Sequence, residues 1–466
     1  MMRCRVHWGW ALLGLLAIAI AASLPSAFGA TTTSSTSSDS SSSAAGVVID
    51  ANGVLRMNKV DDPSGQLMRE RIASAKAALD PKVSSFSKLR KISINRLERS
   101  ILEHQGTLTE EMRCLAGLLR VKYVFYYPDS KDIVLAGPAE GWATDPAGRI
   151  VGLTSHRPIV QLQDLVVALR TFSPDREPAS LIGCSIDPTE EGLAAMQQFL
   201  RSVGSTATPD QTQTIVDGLR TSLGLQKVSI LGISPKTHFA QVLVEADYRM
   251  KLIGIGLEQP PVKMISYVDR ARPGDISRNA MQRWYFTPDY QCVRTSNDKL
   301  AMELVGDGVK LIGEDEMVTA DGQRHQADRG SKASHEFVAS FTRKYSELAE
   351  RSPVYAELRN LIDLSIAAAF IREQDYVLKA GWKMAFFGDE SAFPVEVYNV
   401  PQTVETAVNA LWRGHTLVTP VGGGVNIEAE QALNPNNVLS DDKGTVAKHR
   451  EGNSVPELAP GQWWWD

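Results

Sequence analysis

The chain has 466 residues, 43% hydrophobic and 22% charged, enough apolar material for two or three domains with real cores and too much for a disordered or fibrous polypeptide. Its 49 basic and 54 acidic side chains leave a formal net charge of -5, which excludes any global attraction to nucleic acid or to anionic lipid.

Arg3 and Arg5 stand ahead of an apolar run at 8–24, and Ala27 and Gly29 supply small residues at the two positions a signal peptidase reads. Residues 1–29 are therefore expected to be an export signal cleaved after Gly29. The run is short of the roughly 20 residues a membrane span needs, so the membrane is expected to be touched only during export. The mature protein is placed outside the cytoplasm, in the periplasm or secreted. No cysteine follows the run to carry a lipid, since Cys4 precedes it. Residues 30–46, rich in Ser and Thr, have almost nothing to bury and read as a disordered tether. Cys114, Cys184 and Cys292 remain after cleavage; an odd count leaves at least one thiol unpaired within the chain, and their pairing stays open.

From residue 47 the pattern is globular. The run VVIDANGVLRM predicts a hairpin with its turn at Asn52-Gly53. Helices are expected over 64–79, 94–105 and 109–119, and the basic run from Lys82 to Arg99 reads as a solvated face. A strand meander follows from 122, with a turn at Asp145-Pro146-Ala147-Gly148, and a helix over 162–171 closes a first α+β domain at 47–178. Residues 179–265 read as an α/β unit. The strand LIGCSI leads into Asp187-Pro188-Thr189-Glu190, a strong helix-start signal, and a second helix is expected over 211–223. The stretch VLVEADYRMKLIGIGL alternates like a strand, yet Glu245 precedes Arg249 by four residues and Asp247 precedes Lys251 by four, as on a helix surface. A single strand over 238–257 would run twenty residues, too many for one, so 238–244 is expected to pair as a hairpin and 246–255 to be a helix whose charges face solvent. A third, strand-rich unit with a helical hairpin (helices at 334–351 and 353–372) spans 266–432, with closing strands at WKMAFFG, PVEVYNV and TLVTPVGGGVNI. Residues 433–466, ending in WWWD, read as a disordered tail. The fold class is α+β: antiparallel β-meanders and an α/β unit with helical hairpins, in several domains.

The stretches IGCSIDPTEEGLAAMQQFL and VEADYRMKLIGIGLEQPPVK, with FTRKYSELAERSPVYAELRNLIDL, resemble a family of exported planctomycete proteins catalogued as a domain of unknown function (DUF1598). The resemblance covers roughly residues 92–426. It implies a bacterial, extracytoplasmic setting and carries no catalytic residues.

Cys184 closes a strand ahead of a helix N-terminus, where a thiol can be activated, and His238 is the candidate base for it. A small buried strand residue is the commoner outcome for such a cysteine. His325 and His335, with Asp321, Asp328 and Glu336, lack the tight spacing of a metal site, and no motif calls for a cofactor. Ser85-Phe86-Ser87-Lys88 lacks the companion motifs of a serine acylase, and Gly422-Gly423-Gly424 and Gly254-Ile255-Gly256 lack the following helix of a phosphate loop. Trp463, Trp464 and Trp465 are expected either to dock on a partner or to fold back on their own domain. The leading expectation is a non-enzymatic binding or cell-envelope protein whose partner is another envelope protein or polymer, not a nucleic acid. The alternatives are a hydrolase or thiol-dependent enzyme using Cys184 with His238, and small-ligand binding in a cleft between the units.

Overall fold

The computed structural model describes residues 46–466 apart from 59, 61, 204–207, 272–279, 320, 322, 327–330, 413–415 and 419–420. The expected export signal and residues 30–45 of the expected tether lie outside the described residues. The described chain falls within one unit, Ser41–Asp466. Its class is α+β, built on two large sheets.

The larger sheet has nine strands in the order Val47–Ile49, Val54–Met57, Thr403–Glu405, Leu225–Leu231, Ile182–Asp187, Val421–Ile427, Ala280–Pro288, Val309–Val318 and Arg324–Gln326. The hairpin at 47–57 forms as expected. Asp50 accepts from the backbone N–H groups of Asn52 and Val54, and Gly53 takes the positive φ of 74° that the turn requires. Most pairs are antiparallel, but Ala280–Pro288 runs parallel to Val421–Ile427, and Val54–Met57 parallel to Thr403–Glu405. All three stretches read as separate domains, 47–178, 179–265 and 266–432, contribute strands to this one sheet. Turn-rich boundaries therefore mark connections between layers and not limits of cores.

Two consecutive glycines let the centre of the sheet close. A Cβ on Gly423, which has φ 122°, would lie 1.9 Å from the Trp284 carbonyl oxygen, and one on Gly424 would lie 1.8 Å from that of Cys184. The glycine run is thus a close-packed central strand, and the short helix that follows, Ala429–Leu433, begins five residues beyond Gly424, so the glycines do not form a loop at a helix start.

Across the faces of the sheet, Met281 belongs to a small core with Leu193, Met196, Ile215 and Leu219 from the helices Glu190–Val203 and Thr212–Leu223. Trp284, three residues on, points to the opposite face and joins the main core. There the helix His238–Gly254 lies on the strands Ile182–Asp187 and Val421–Ile427, and beyond it runs the helix Pro353–Glu373, buried without a break from Val354 to Ile371. No described helix is long and apolar enough to cross a membrane.

The second sheet has six strands, Val293–Thr295, Ala301–Leu304, Tyr123–Tyr127, Asp132–Ala139, Ser87–Ser93 and Trp464–Trp465. It overturns the reading of 433–466 as disordered. That segment contains the helix Thr445–Glu451, and Trp464 and Trp465 pair with Ile92 and Lys91. Trp463 and Trp465 are buried, and Trp464 stacks under the Arg90 guanidinium at 4.7 Å. Arg90 itself is fully buried and donates to both carboxylate oxygens of Asp466. The basic run at 82–99 is therefore partly interior, because Arg90 and Lys91 lie in a strand covered on both faces and bordered by the C-terminal strand Trp464–Trp465.

Two expected strands, WKMAFFG and PVEVYNV, do not form. Glu98, buried on the helix Ile94–Glu103, accepts from the backbone N–H groups of Phe386 and Phe387, each at 2.7 Å, and Glu390 does the same for Val395 and Glu396. Carboxylates take the donors that a ladder partner would have used.

Candidate functional site

The segment 238–257 resolves as one helix, His238–Gly254, capped by the Thr237 hydroxyl, which accepts from the Ala240 N–H at 3.2 Å. The acid-before-base spacing is real: Lys251 bonds Asp247 at 2.8 Å and Arg249 reaches Glu245 at 3.4 Å. The solvent-facing expectation is corrected. Glu245, Asp247 and Lys251 are essentially inaccessible, because strands cover one side of the helix and Pro353–Glu373 covers another. Alternating hydrophobicity arose from a helix that is enclosed on most sides and carries its charges inward.

These charges form two clusters. In the first, Arg149 donates to both oxygens of Glu245, at 2.5 and 2.6 Å, and also to Glu357 on the long buried helix. Arg249 links Glu245 to Glu258, which it bonds at 2.6 and 3.0 Å. His238 donates Nδ1–H to Asp164 on the helix Leu162–Thr171, with the oxygens at 2.9 and 3.0 Å. His238, Asp164, Glu357, Gln161 and Asn360 border a cavity of ≈ 10 Å³, room for about one water molecule. In the second cluster the Lys251 ammonium donates to Asp247, to the Ile186 carbonyl at 2.8 Å and to the Gly423 carbonyl at 3.2 Å. All three of its N–H donors are used, and the helix is tied to two neighbouring strands.

Burial sets the protonation behaviour. It pushes Glu245 up to about 7, against the pull of Arg149, and Asp247 up to about 6, against the pull of Lys251. Burial alone would discharge His238, but Asp164 more than offsets it and the imidazole is held above its ordinary value. Because the folded protein holds the Glu245 proton more tightly than the unfolded chain does, the stability tied to this group is present in full below pH 4.5. It is lost as the pH climbs toward about 7. Urea unfolding across that window should show a decline of about 3 kcal/mol from Glu245, and Glu245→Gln should flatten it.

Cys184 and His238 are not brought together. Cys184 lies in the centre of the large sheet, opposite Val425 and Ile230, beside the Asp247–Lys251 end of the helix. His238 is nine residues earlier on that helix, about 14 Å of rise away. Burial, and then the negative charge of Asp247, raise the Cys184 thiol well above its ordinary value. Cys114 and Cys292 are also buried free thiols, with burial pushing Cys292 up to about 12. His325 and His335 are exposed, Asp328 lies outside the described residues, and no metal-binding group of three is found among the described residues. A concavity of ≈ 570 Å³ lies along Glu258–Met264 and Asn409.

Sequence reading missed Arg149, Asp164 and Glu357. One signal was available: Glu357, Arg359 and Asp363 interrupt a run in the Pro353–Glu373 helix that is apolar on every side, so charges there had to be interior.

Residues 184–267 match the family described as "Protein of unknown function (DUF1598)". This span holds Cys184, the helix pair behind the sheet and the whole of His238–Gly254. No curated protein and no solved structure matches the chain.

Proposed function

We propose that the protein is an exported, non-enzymatic binding protein of a bacterial cell envelope. One observation carries the reading: the groups that could do chemistry are sealed and separated. Cys184 is buried with its thiol raised and lies far along the helix from His238, and His238 is engaged by Asp164 beside a cavity that admits a single water. A nucleophile needs a low-pKa thiol or a base within hydrogen-bond reach, and a substrate needs room. The arginines at 3 and 5, the small residues before position 30, and the resemblance to exported planctomycete proteins support the location.

Iodoacetamide applied to the native protein at pH 8 should leave Cys184 unmodified over hours while labelling it readily in urea. A fast native reaction with a pH midpoint below 8 would favour the thiol-enzyme alternative. Affinity recovery of the mature protein from its native envelope, followed by mass spectrometry, should return the same partner protein or polymer from repeated preparations. Recovery of none would remove the binding reading.

A further inference from the structure

Away from the clusters around His238–Gly254, the long helix Pro353–Glu373 sends one more charge out of its buried surface. Arg359 is only 5% exposed, yet among the described residues it has no hydrogen bond and no ion pair, and its Nε is a buried donor without an acceptor. It lines a concavity of ≈ 340 Å³ with Arg120, Arg157 and Lys122. The Arg157 side chain also makes no hydrogen bond among the described residues, and its Nε is likewise buried and unmatched.

Three of the nearby carboxylates are committed elsewhere, while Asp307, near Arg120, and the exposed Glu350, near Arg157, add more distant negative charge. Asp363, one turn along the same helix, is held by Arg120 Nε at 2.6 Å and Nη2 at 3.3 Å. Glu303, in the wall, accepts from Arg294 at 2.8 Å and from the Tyr123 hydroxyl at 3.2 Å, with Lys122 3.8 Å away. Glu140, close to Arg157, is taken by the backbone N–H groups of Thr154 and Ser155 and by the Ser155 hydroxyl. Four cations thus face one another across a small space, and of the acids that offset them Asp363, Glu303 and Glu140 are already engaged by other donors. Burial, followed by repulsion from Arg120, lowers Arg359 from its ordinary value, and burial does the same to Arg157.

Such an arrangement is costly unless something compensates it, since an unpaired buried charge is among the most destabilising features a fold can carry. We infer that the pocket of Arg120, Arg157 and Arg359 binds an oxyanion, a phosphate or sulfate, either free or as the ester group of a small organic ligand. Arg157 and Arg359 together offer ten N–H donors, against the two oxygens of a carboxylate. A tetrahedral oxyanion has the additional oxygens, and guanidinium forks match it in geometry. Pro138, Leu304 and Val305 add apolar wall to a space larger than a bare ion needs. The assignment rests on the reading of the chain as a binding protein only for its biological sense; the site chemistry stands without it.

Isothermal titration calorimetry on the full mature protein, at constant ionic strength set with sodium chloride, tests this with inorganic phosphate, inorganic sulfate, glucose 6-phosphate, glucose 6-sulfate and glucuronate. Phosphate or sulfate should bind, and Arg359→Met should weaken that binding at least tenfold while raising the melting temperature of the ligand-free protein. Arg157→Gln, in a half-exposed loop, should weaken it similarly and serves if the first variant fails to fold. Esters binding at least tenfold more tightly than the free ions would make an ester the ligand; equal affinities would make it the ion. Absence of binding by all four oxyanion probes, equal binding by glucuronate, or unchanged affinity in both variants would overturn the inference. Each of those results leaves the thiol and partner-recovery experiments unaffected, so failure here is distinguishable from failure of the binding reading.

Discussion

Replacing Arg149 by methionine will lower the stability of the protein by about 3–5 kcal/mol, read as a fall in the urea midpoint at pH 7.5. The guanidinium is the shared counter-charge of Glu245 and Glu357, both buried, and among the described residues the other cation paired with either is the more distant Arg249, on Glu245. Without it two carboxylates face each other in a dry interior. The remaining chain can respond only by taking up protons, so the variant should regain part of its stability as the pH is lowered toward 5, more steeply than the wild type does. Adding Glu245→Gln and Glu357→Gln to the methionine should recover most of the loss. A fall of under about 1 kcal/mol in the single variant would mean that the cluster is solvated and that the interior described here is wrong.

Lys251→Met should cost a similar amount, about 3–5 kcal/mol, by a different route. Its ammonium satisfies Asp247 and two carbonyls from adjacent strands, so the loss strands three acceptors at once. Methionine fills nearly the same volume, which isolates charge from packing. The pair is also where repair can be tested: Asp247→Leu combined with Lys251→Met removes both charges, and the double variant should be more stable than the lysine variant alone. A double-mutant cycle measures the coupling. Additive effects would show that the two side chains do not act as a unit.

Local pattern located elements well wherever the signal is a short-range contact. The Asp-Pro-Thr-Glu run foretold a helix with Asp187 as its cap; the cap is Thr189, which accepts from the Gly192 N–H at 3.0 Å and starts the helix Glu190–Val203 two residues later, and the helix Leu162–Thr171 matches its expected range. The four-residue charge spacing within 245–251 also marked a helix. What it did not mark is the cover. Whether Glu245 faces water or Arg149 depends on a loop almost 100 residues upstream and a helix more than 100 downstream, and no window of sequence contains both. The two strands that failed to appear make the same point from the backbone side, since Glu98 reaches Phe386 and Phe387 from nearly 290 residues away. The tail was misjudged because its polar, Pro-rich composition resembles a linker, whereas its indoles and Arg90 complete a sheet edge. The candidate site was legible only in part. Cys184 and His238 were noticed as residue types, but strand order and helix rise, which hold them apart, are properties of the assembled sheet.

The strand Val421–Ile427 has a bearing on biosynthesis. It lies between Ile182–Asp187 and Ala280–Pro288, so the two halves of the nine-stranded sheet have no direct ladder until residues near 427 have left the ribosome. Nascent chains of up to about 400 residues will therefore expose two unpaired strand edges bearing Cys184 and Trp284, the kind of surface that recruits holding chaperones and promotes aggregation when synthesis outpaces them.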